Sequence, residues 1–174
     1  MSGDAARLVR ALKYSGWTAL APKMGAALAD PARRLILRAA CSPGELCLVP
    51  VPVTRPRLRE RGFNQAELLA AGLARALGLR TASLLESRDS SASQVRLSRT
   101  GRFTNVGDRF RARANEAGGD GFPVLAVDDV VTTGATALAC LSALAAAGWR
   151  PIGLVSFARA WRVLDATGDS TSLM

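Results

Sequence analysis

The sequence predicts an α/β fold: a mostly parallel central sheet flanked by helices. Three stretches point to it. Val124 to Val127 is a short apolar run, the pattern of a strand buried on both faces. It is followed by a helical stripe of Leu138, Leu141, Leu144 and Ala145 that stops at Gly148, with Ile152 to Phe157 as the next buried strand. Upstream, the apolar run Leu46 to Val51 precedes a second helix face, Leu69, Leu73, Ala76 and Leu77, closed by Gly78.

A chain of 174 residues suits one domain, large enough to bury roughly 70% of its unfolded surface. The expected domain covers 1–162, with a small helical part over 1–40, a core over 46–160 and a flexible tail over 163–174. No apolar run approaches the ~20 residues that span a bilayer, so no membrane insertion is expected. Asp4, Arg7 and Arg10 leave the start without the apolar centre of a secretory signal, and a cytoplasmic location is expected. The three cysteines, Cys41, Cys47 and Cys140, are widely spaced, and the chain has no His. Zinc is therefore not expected, and the cysteines read as free thiols. Without His the usual general base is missing, so any catalysis would rest on carboxylates, placed charge and metal. The net charge of +9 is concentrated: residues 55 to 113 hold thirteen arginines against five acids.

In chain order, residues 4 to 14 and 17 to 29 read as amphipathic helices. Leu8, Val9 and Leu12 form the apolar face of the first, and Leu20, Met24 and Leu28 that of the second. Ser15-Gly16 separates them, and Asp30-Pro31 ends the second and starts a third through Ala32 to Ala40. Lys13-Tyr14-Ser15-Gly16, beside Trp17, reads equally as an exposed turn or as the lining of a site. After Leu46 to Val51 comes a proline-stiffened loop, Pro50 to Arg61, with Arg55, Arg57, Arg59 and Arg61 at alternate positions. An arginine offers a planar fork suited to phosphate. Asn64 with Glu67 three residues on is a capping-box pattern that starts the next helix. Leu84 to Arg88 and the residues around Phe110 read as strands. Between them, Asp89 to Val106 is polar and of a length usually given to a lid or binding loop, with disorder as the alternative.

The most informative stretch is 124 to 136. Asp128 and Asp129 follow the buried strand directly, then Thr132, Thr133, Gly134, Ala135 and Thr136 allow a tight turn with exposed N–H groups. A helix N-terminus carries unpaired N–H groups and about half a positive charge, which suits a phosphate monoester. Two carboxylates beside it can accept hydrogen bonds from vicinal hydroxyls. A solvated acid pair on an ordinary strand, or a receiver-type Asp pair holding Mg²⁺, would leave the small-residue turn unexplained.

These thirteen residues resemble the phosphoribosyl-pyrophosphate (PRPP) motif of type I phosphoribosyltransferases. The resemblance implies that fold, with Asp128 and Asp129 on the ribose hydroxyls as the catalytic acids. It implies that Val131, Thr132, Thr133, Gly134, Ala135 and Thr136 surround the 5′-phosphate. It also implies that the Pro50 to Arg61 loop holds the pyrophosphate. Pro52, Arg57 and Arg61 are the residues expected there, and Arg55 and Arg59 are expected to face solvent or nucleic acid, but spacing alone does not decide which arginine pair points inward. Mg²⁺ would enter through Asp128, Asp129 and the pyrophosphate, and a flexible loop carrying Gln94, Arg96, Arg99 and Arg102 would close over the donor.

A narrower likeness covers about residues 8 to 160. Lys13-Tyr14-Ser15-Gly16, Val49-Pro50-Val51-Pro52, Arg57-Leu58-Arg59-Glu60-Arg61-Gly62-Phe63-Asn64-Gln65 and the 124 to 136 motif together are similar to the ComF family. Gln94, Leu97-Ser98-Arg99, Arg102 and Asn105-Val106 fit its middle loop. Members of that family are phosphoribosyltransferase-like proteins linked to DNA uptake and natural transformation. Many begin with a four-cysteine zinc module, which is missing here, so the member either dispenses with it or is truncated.

Two functions stay open. One is Mg²⁺-dependent transfer of ribose 5-phosphate from PRPP to an unknown acceptor, a nucleobase-salvage acceptor included. The other is a non-catalytic adaptor of the competence machinery, working with helicase-like and DNA-processing proteins. That adaptor would bind single-stranded DNA through Arg55, Arg59, Arg96, Arg99 and Arg102, since backbone binding is largely electrostatic.

Overall fold

The computed structural model describes residues 3–88, 109–113, 119–158, 162–164 and 170–172. Its central sheet has the strand order β2-β1-β5-β6-β7-β8. These strands are β1 Cys47–Pro50, β2 Arg80–Thr81, β5 Pro123–Val130, β6 Arg150–Ala158, β7 Arg162–Leu164 and β8 Ser170–Ser172. The pairs β1–β2, β1–β5 and β5–β6 are parallel, whereas β6–β7 and β7–β8 are antiparallel. The sheet is thus mostly parallel. The described residues of the expected tail form the last two of these strands. Outside this sheet, β3 Leu85–Ser87 pairs antiparallel with β4 Phe110–Ala112.

The strands alternate their side chains between two cores. Leu48, Leu125 and Val127 join one core with Leu12, Met24, Leu28, Leu35, Leu69 and Leu73. The helices of that face are α1 Gly3–Tyr14, α2 Ala21–Ala26, α3 Ala29–Arg38 and α5 Gln65–Leu77. Val49, Val124 and Ala126 face the other way, onto Leu84, Leu85, Phe110 and the buried side of α6 Ala135–Ala146. Helices flank the sheet as the sequence predicts, and the N-terminal helices share one layer with α5.

Three boundaries differ from expectation. The second helical stretch is broken: a short 3₁₀ turn, Thr18–Leu20, precedes α2, which has Pro22 in its first turn. Asp30-Pro31 does not separate helices but sits in the first turn of α3, where a missing N–H costs no intrahelical bond. Likewise the loop after β1 is short. Pro56 occupies the first turn of a helix, α4 Arg55–Arg61, which Gly62 ends in the left-handed conformation at φ 79°. The four arginines are therefore helical, and alternate positions of a helix do not share a face.

The start of α5 is tied to the sheet. Asn64 Oδ1 accepts from Ala66 N at 3.1 Å, and Asn64 Nδ2 donates to Val51 O at 3.1 Å. Val51 N in turn donates to Val127 O at 2.9 Å. The N-cap read in the sequence thus also fixes the helix tip beside the last residue of β5 before the acid pair.

Candidate functional site

Strand β1 passes through α4 and α5 to β2, on one side of it in the sheet. Strand β5 passes through α6 to β6, on the other side. Helix α5 lies on one face and α6 on the opposite face. The gap between β1 and β5 is consequently a topological switch point, where an open α/β sheet leaves a crevice beyond its strand ends. Register places the acid pair there: Pro50 is opposite Val127, so β1 has ended when β5 reaches Asp128 and Asp129. On its other side Asp128 is still paired with Ser156 of β6.

The doublet is not turned into solvent. Asp129 is 8% exposed and Asp128 is half-buried. Asp128 Oδ1 accepts the N–H of Asp129 at 2.7 Å. Withdrawal from water, and next the charge of Asp129, push the Asp128 carboxyl up to about 8. Asp128 is thus held towards its protonated form beside Asp129. Burial and the Asp128 charge also push the Cys140 thiol in α6 up to about 12.

Beyond Val131, which is buried, Thr132 and Thr133 are exposed and Gly134 turns the chain at φ 81°. Gly134 is the N-cap of α6 and offers no side-chain cap. Ala135 N reaches Thr133 Oγ1 at 3.4 Å, and Leu138 N begins the helical ladder on Gly134 O at 2.8 Å. The helix tip thus opens to solvent beside the acids, as an anion site requires. Arg109 adds a cation there, its Nη1 donating to Thr136 Oγ1 at 2.8 Å.

Two side chains from the end of α1 complete the arrangement. Lys13 Nζ lies 2.7 Å from Asp129 Oδ2. The next residue, Tyr14, carries the Arg61 guanidinium 5.3 Å from its ring centre, a cation–π contact. Residues four apart share a helix face, so Arg57 lies on the side of α4 that carries Arg61, and Arg55 and Arg59 lie on the opposite side. Arg61 Nε is buried with no hydrogen-bond partner. Pro52 is half-buried in the segment leading to α4.

Of the sequence-derived site residues, Asp128 to Thr136 are contiguous, and Arg61 meets Tyr14, the neighbour of the Lys13 that pairs with Asp129. Arg57 is exposed and, among the described residues, makes no contact with them. Arg55 and Arg59 point elsewhere. Gln94, Arg96, Arg99 and Arg102 lie outside the described residues. In the sequence Lys13 is part of a polar junction, and Arg109 is one arginine among thirteen. Nothing local in the sequence singles out either contact.

The donor set limits what metal the chain can hold. Among the described residues no group of three or more His, Cys, Asp or Glu gathers in one place. Mg²⁺ takes near-octahedral oxygen ligands and is commonly held by one or two carboxylates together with substrate phosphates. The acid pair fits the ion in that company.

Fold and crevice define an α/β protein with an acid pair and an uncapped helix start at its switch point. No family model matches the chain, and neither does any curated protein. Among solved structures it is similar to one described as the allosteric regulatory enzyme of purine biosynthesis. The identity is 17%, over 79% of this chain and 25% of that one, with a TM-score of 0.47. The chain thus spans a quarter of that protein's length, and a likeness this distant carries no argument about function. No helix among the described residues is long and apolar enough to cross a membrane.

Proposed function

We propose that the chain is a phosphoribosyltransferase-like protein of the ComF kind that binds PRPP. The observation that carries the reading is the acid doublet, Asp128 half-buried and Asp129 buried, standing beside the uncapped start of α6 at the switch point. Asp128 and Asp129 would hold the ribose hydroxyls, and the N–H groups of 132 to 136, with Arg109 alongside, would hold the 5′-phosphate. Arg57 and Arg61 would face the pyrophosphate. Mg²⁺, held by Asp128, Asp129 and the pyrophosphate oxygens, would supply charge neutralisation for the leaving group. In transfer, the bond from C1 to pyrophosphate breaks as a nitrogen nucleophile bonds to C1. The fixed carboxylates face the charge that develops on the ribose. The residues supporting a role in natural transformation are Lys13 to Gly16 and Arg57 to Gln65, through their likeness to the ComF family.

PRPP with Mg²⁺ is expected to raise the melting temperature, and the double change Asp128→Asn, Asp129→Asn to abolish the rise. Differential scanning fluorimetry measures both. A wild-type chain unmoved by millimolar ligand would remove the reading.

A second role has one observation in its favour: Arg55 and Arg59 are exposed on the face of α4 turned away from the site. Single-stranded DNA held there and by Arg96, Arg99 and Arg102 would bind with an affinity falling steeply as salt rises. Arg55→Ala with Arg59→Ala is expected to weaken binding and flatten the salt slope in fluorescence anisotropy. A slope unchanged by the substitutions would exclude this face.

A further inference from the structure

A helix N-cap needs only an oxygen, and Ser or Asp would cap α5 as well as Asn64 does. What an Asn adds is a donor on the same short side chain. Here both ends are used: Oδ1 accepts from Ala66 N and Nδ2 donates to Val51 O, each at 3.1 Å. Val51 N donates in turn to Val127 O at 2.9 Å, directly before Asp128. A chain of bonds therefore runs from the first turn of α5 through Val51 to the strand that carries the acids. Asn64, Val51, Ala66 and Val127 are all buried. Water does not compete for these groups, and each bond polarises the next.

The segment that follows Val51 is short. Pro52, Val53 and Thr54 are half-buried and belong to no helix or strand. Leu58 N closes on Thr54 O at 2.9 Å and fixes the far end to α4. Between the two anchors Pro52 has a set φ and no N–H. The N–H groups of Val53 and Thr54 meet no acceptor among the described residues. With so few free dihedrals, their direction depends on how Val51 is held.

Resting on the PRPP reading above, we infer that Asn64 is a positioning residue for the pyrophosphate half of the ligand. It touches no ligand atom. Its amide holds the backbone after β1 so that the unpaired N–H groups of Val53 and Thr54 face a diphosphate. The pentose half does not depend on it, because Asp128 and Asp129 lie on β5, which is held between β1 and β6. Loss of the Nδ2 bond alone frees the segment after Val51 and leaves the acids in place.

Asn64→Ser keeps a capping oxygen and loses the donor, whereas Asn64→Ala loses both. Isothermal titration of the full chain with inorganic pyrophosphate and Mg²⁺, and separately with ribose 5-phosphate, reads the two halves apart. Asn64→Ser is expected to melt close to wild type yet bind pyrophosphate about tenfold more weakly, the worth of one buried hydrogen bond. Its affinity for ribose 5-phosphate should not change. Asn64→Ala should lose the same affinity and also melt lower. Wild-type affinity for pyrophosphate in Asn64→Ser overturns the inference, as does an equal weakening of both ligands, which marks general loosening. Should Asn64→Ser fail to fold, hydrogen exchange in the wild-type chain decides. Pyrophosphate with Mg²⁺ should then slow exchange at the Ala66 N–H, and an unchanged rate overturns the inference. A wild-type chain that binds PRPP with Mg²⁺ but not pyrophosphate overturns this inference and leaves the PRPP reading standing. Failure of both ligands overturns both.

Discussion

Asp128→Asn is expected to melt several degrees above the wild-type chain at pH 9 and close to it at pH 4. In the folded protein the Asp128 carboxyl titrates at about 8 against a reference value of 3.8. Between those values the native state keeps a proton that the unfolded chain has released. Stability contributed by this group is therefore full below the reference value, falls as pH rises through the window, and is lost above the folded value. Each unit of the difference corresponds to about 1.4 kcal/mol, and in a chain of this size 1 kcal/mol moves the melting temperature by about 2–4 °C. Burial is the first cause and the neighbouring Asp129 the second, while the Asp129 N–H bond and Lys13 oppose them in part. An Asn keeps an oxygen for the Asp129 N–H and carries no charge, so it removes the alkaline loss without removing the bond. Melting curves of both proteins from pH 4 to 9, without Mg²⁺ or phosphates, measure the effect. Parallel curves would mean that Asp128 ionises at its ordinary value and that the doublet is not desolvated. The Cys140 thiol, raised from 9.0 to about 12, begins its own alkaline loss only as pH nears 9, and both proteins carry it.

The same doublet shows how far local sequence reaches. Strand, acids, small-residue turn and helix start are contiguous from 124 to 136, so their joint geometry follows from short-range rules and could be read directly. The N-cap at Asn64 was legible for the same reason. The helix of arginines was not. The density of Pro50, Pro52 and Pro56 suggested a stiff loop, yet a proline just inside a helix start is favoured, and Pro56 begins α4. That change of local state separates the pairs that alternate spacing leaves together, since in a helix Arg57 and Arg61 share a face from which Arg55 and Arg59 are turned away. Lys13 and Arg109 were out of reach for a different reason. Each meets its partner across the fold, and nothing in its own neighbourhood encodes the meeting. Lys13 is carried by α1, which packs on β6, and α2, next in the chain, packs on α5 at two residues that a sequence pattern treats as gaps.

Those residues are Gly25 and Gly72, and Gly25→Ala is expected to destabilise the protein by about 3 kcal/mol or more, the upper range for overpacking a core. A Cβ on Gly25 would overlap the Leu69 carbonyl oxygen and stand 2.9 Å from both Gly72 Cα and Leu73 N. Reciprocally, a Cβ on Gly72 would meet Pro22 O at 2.7 Å. All of these are backbone atoms, so no rotamer change relieves the clash; α2 must lift away from α5. Met24 and Leu28 would then part from Leu69 and Leu73 in the core beneath. A loss of this size is a large share of the ~5–15 kcal/mol that hold a typical domain together. Gly44→Ala is the control, because nothing stands within 4 Å of its Cβ. Urea titration of the three proteins reads the difference as a lowered midpoint for Gly25→Ala alone. The displacement also reaches the crevice, since α1, which precedes α2, delivers Lys13 to Asp129, and α5 begins at Asn64, which braces Val51. Gly25→Ala should therefore weaken ligand binding at temperatures where the chain is still folded. A Gly25→Ala chain as stable as the Gly44→Ala control would show that the helices can separate here at no cost. The approach of α2 to α5 would then not be what seats the lysine.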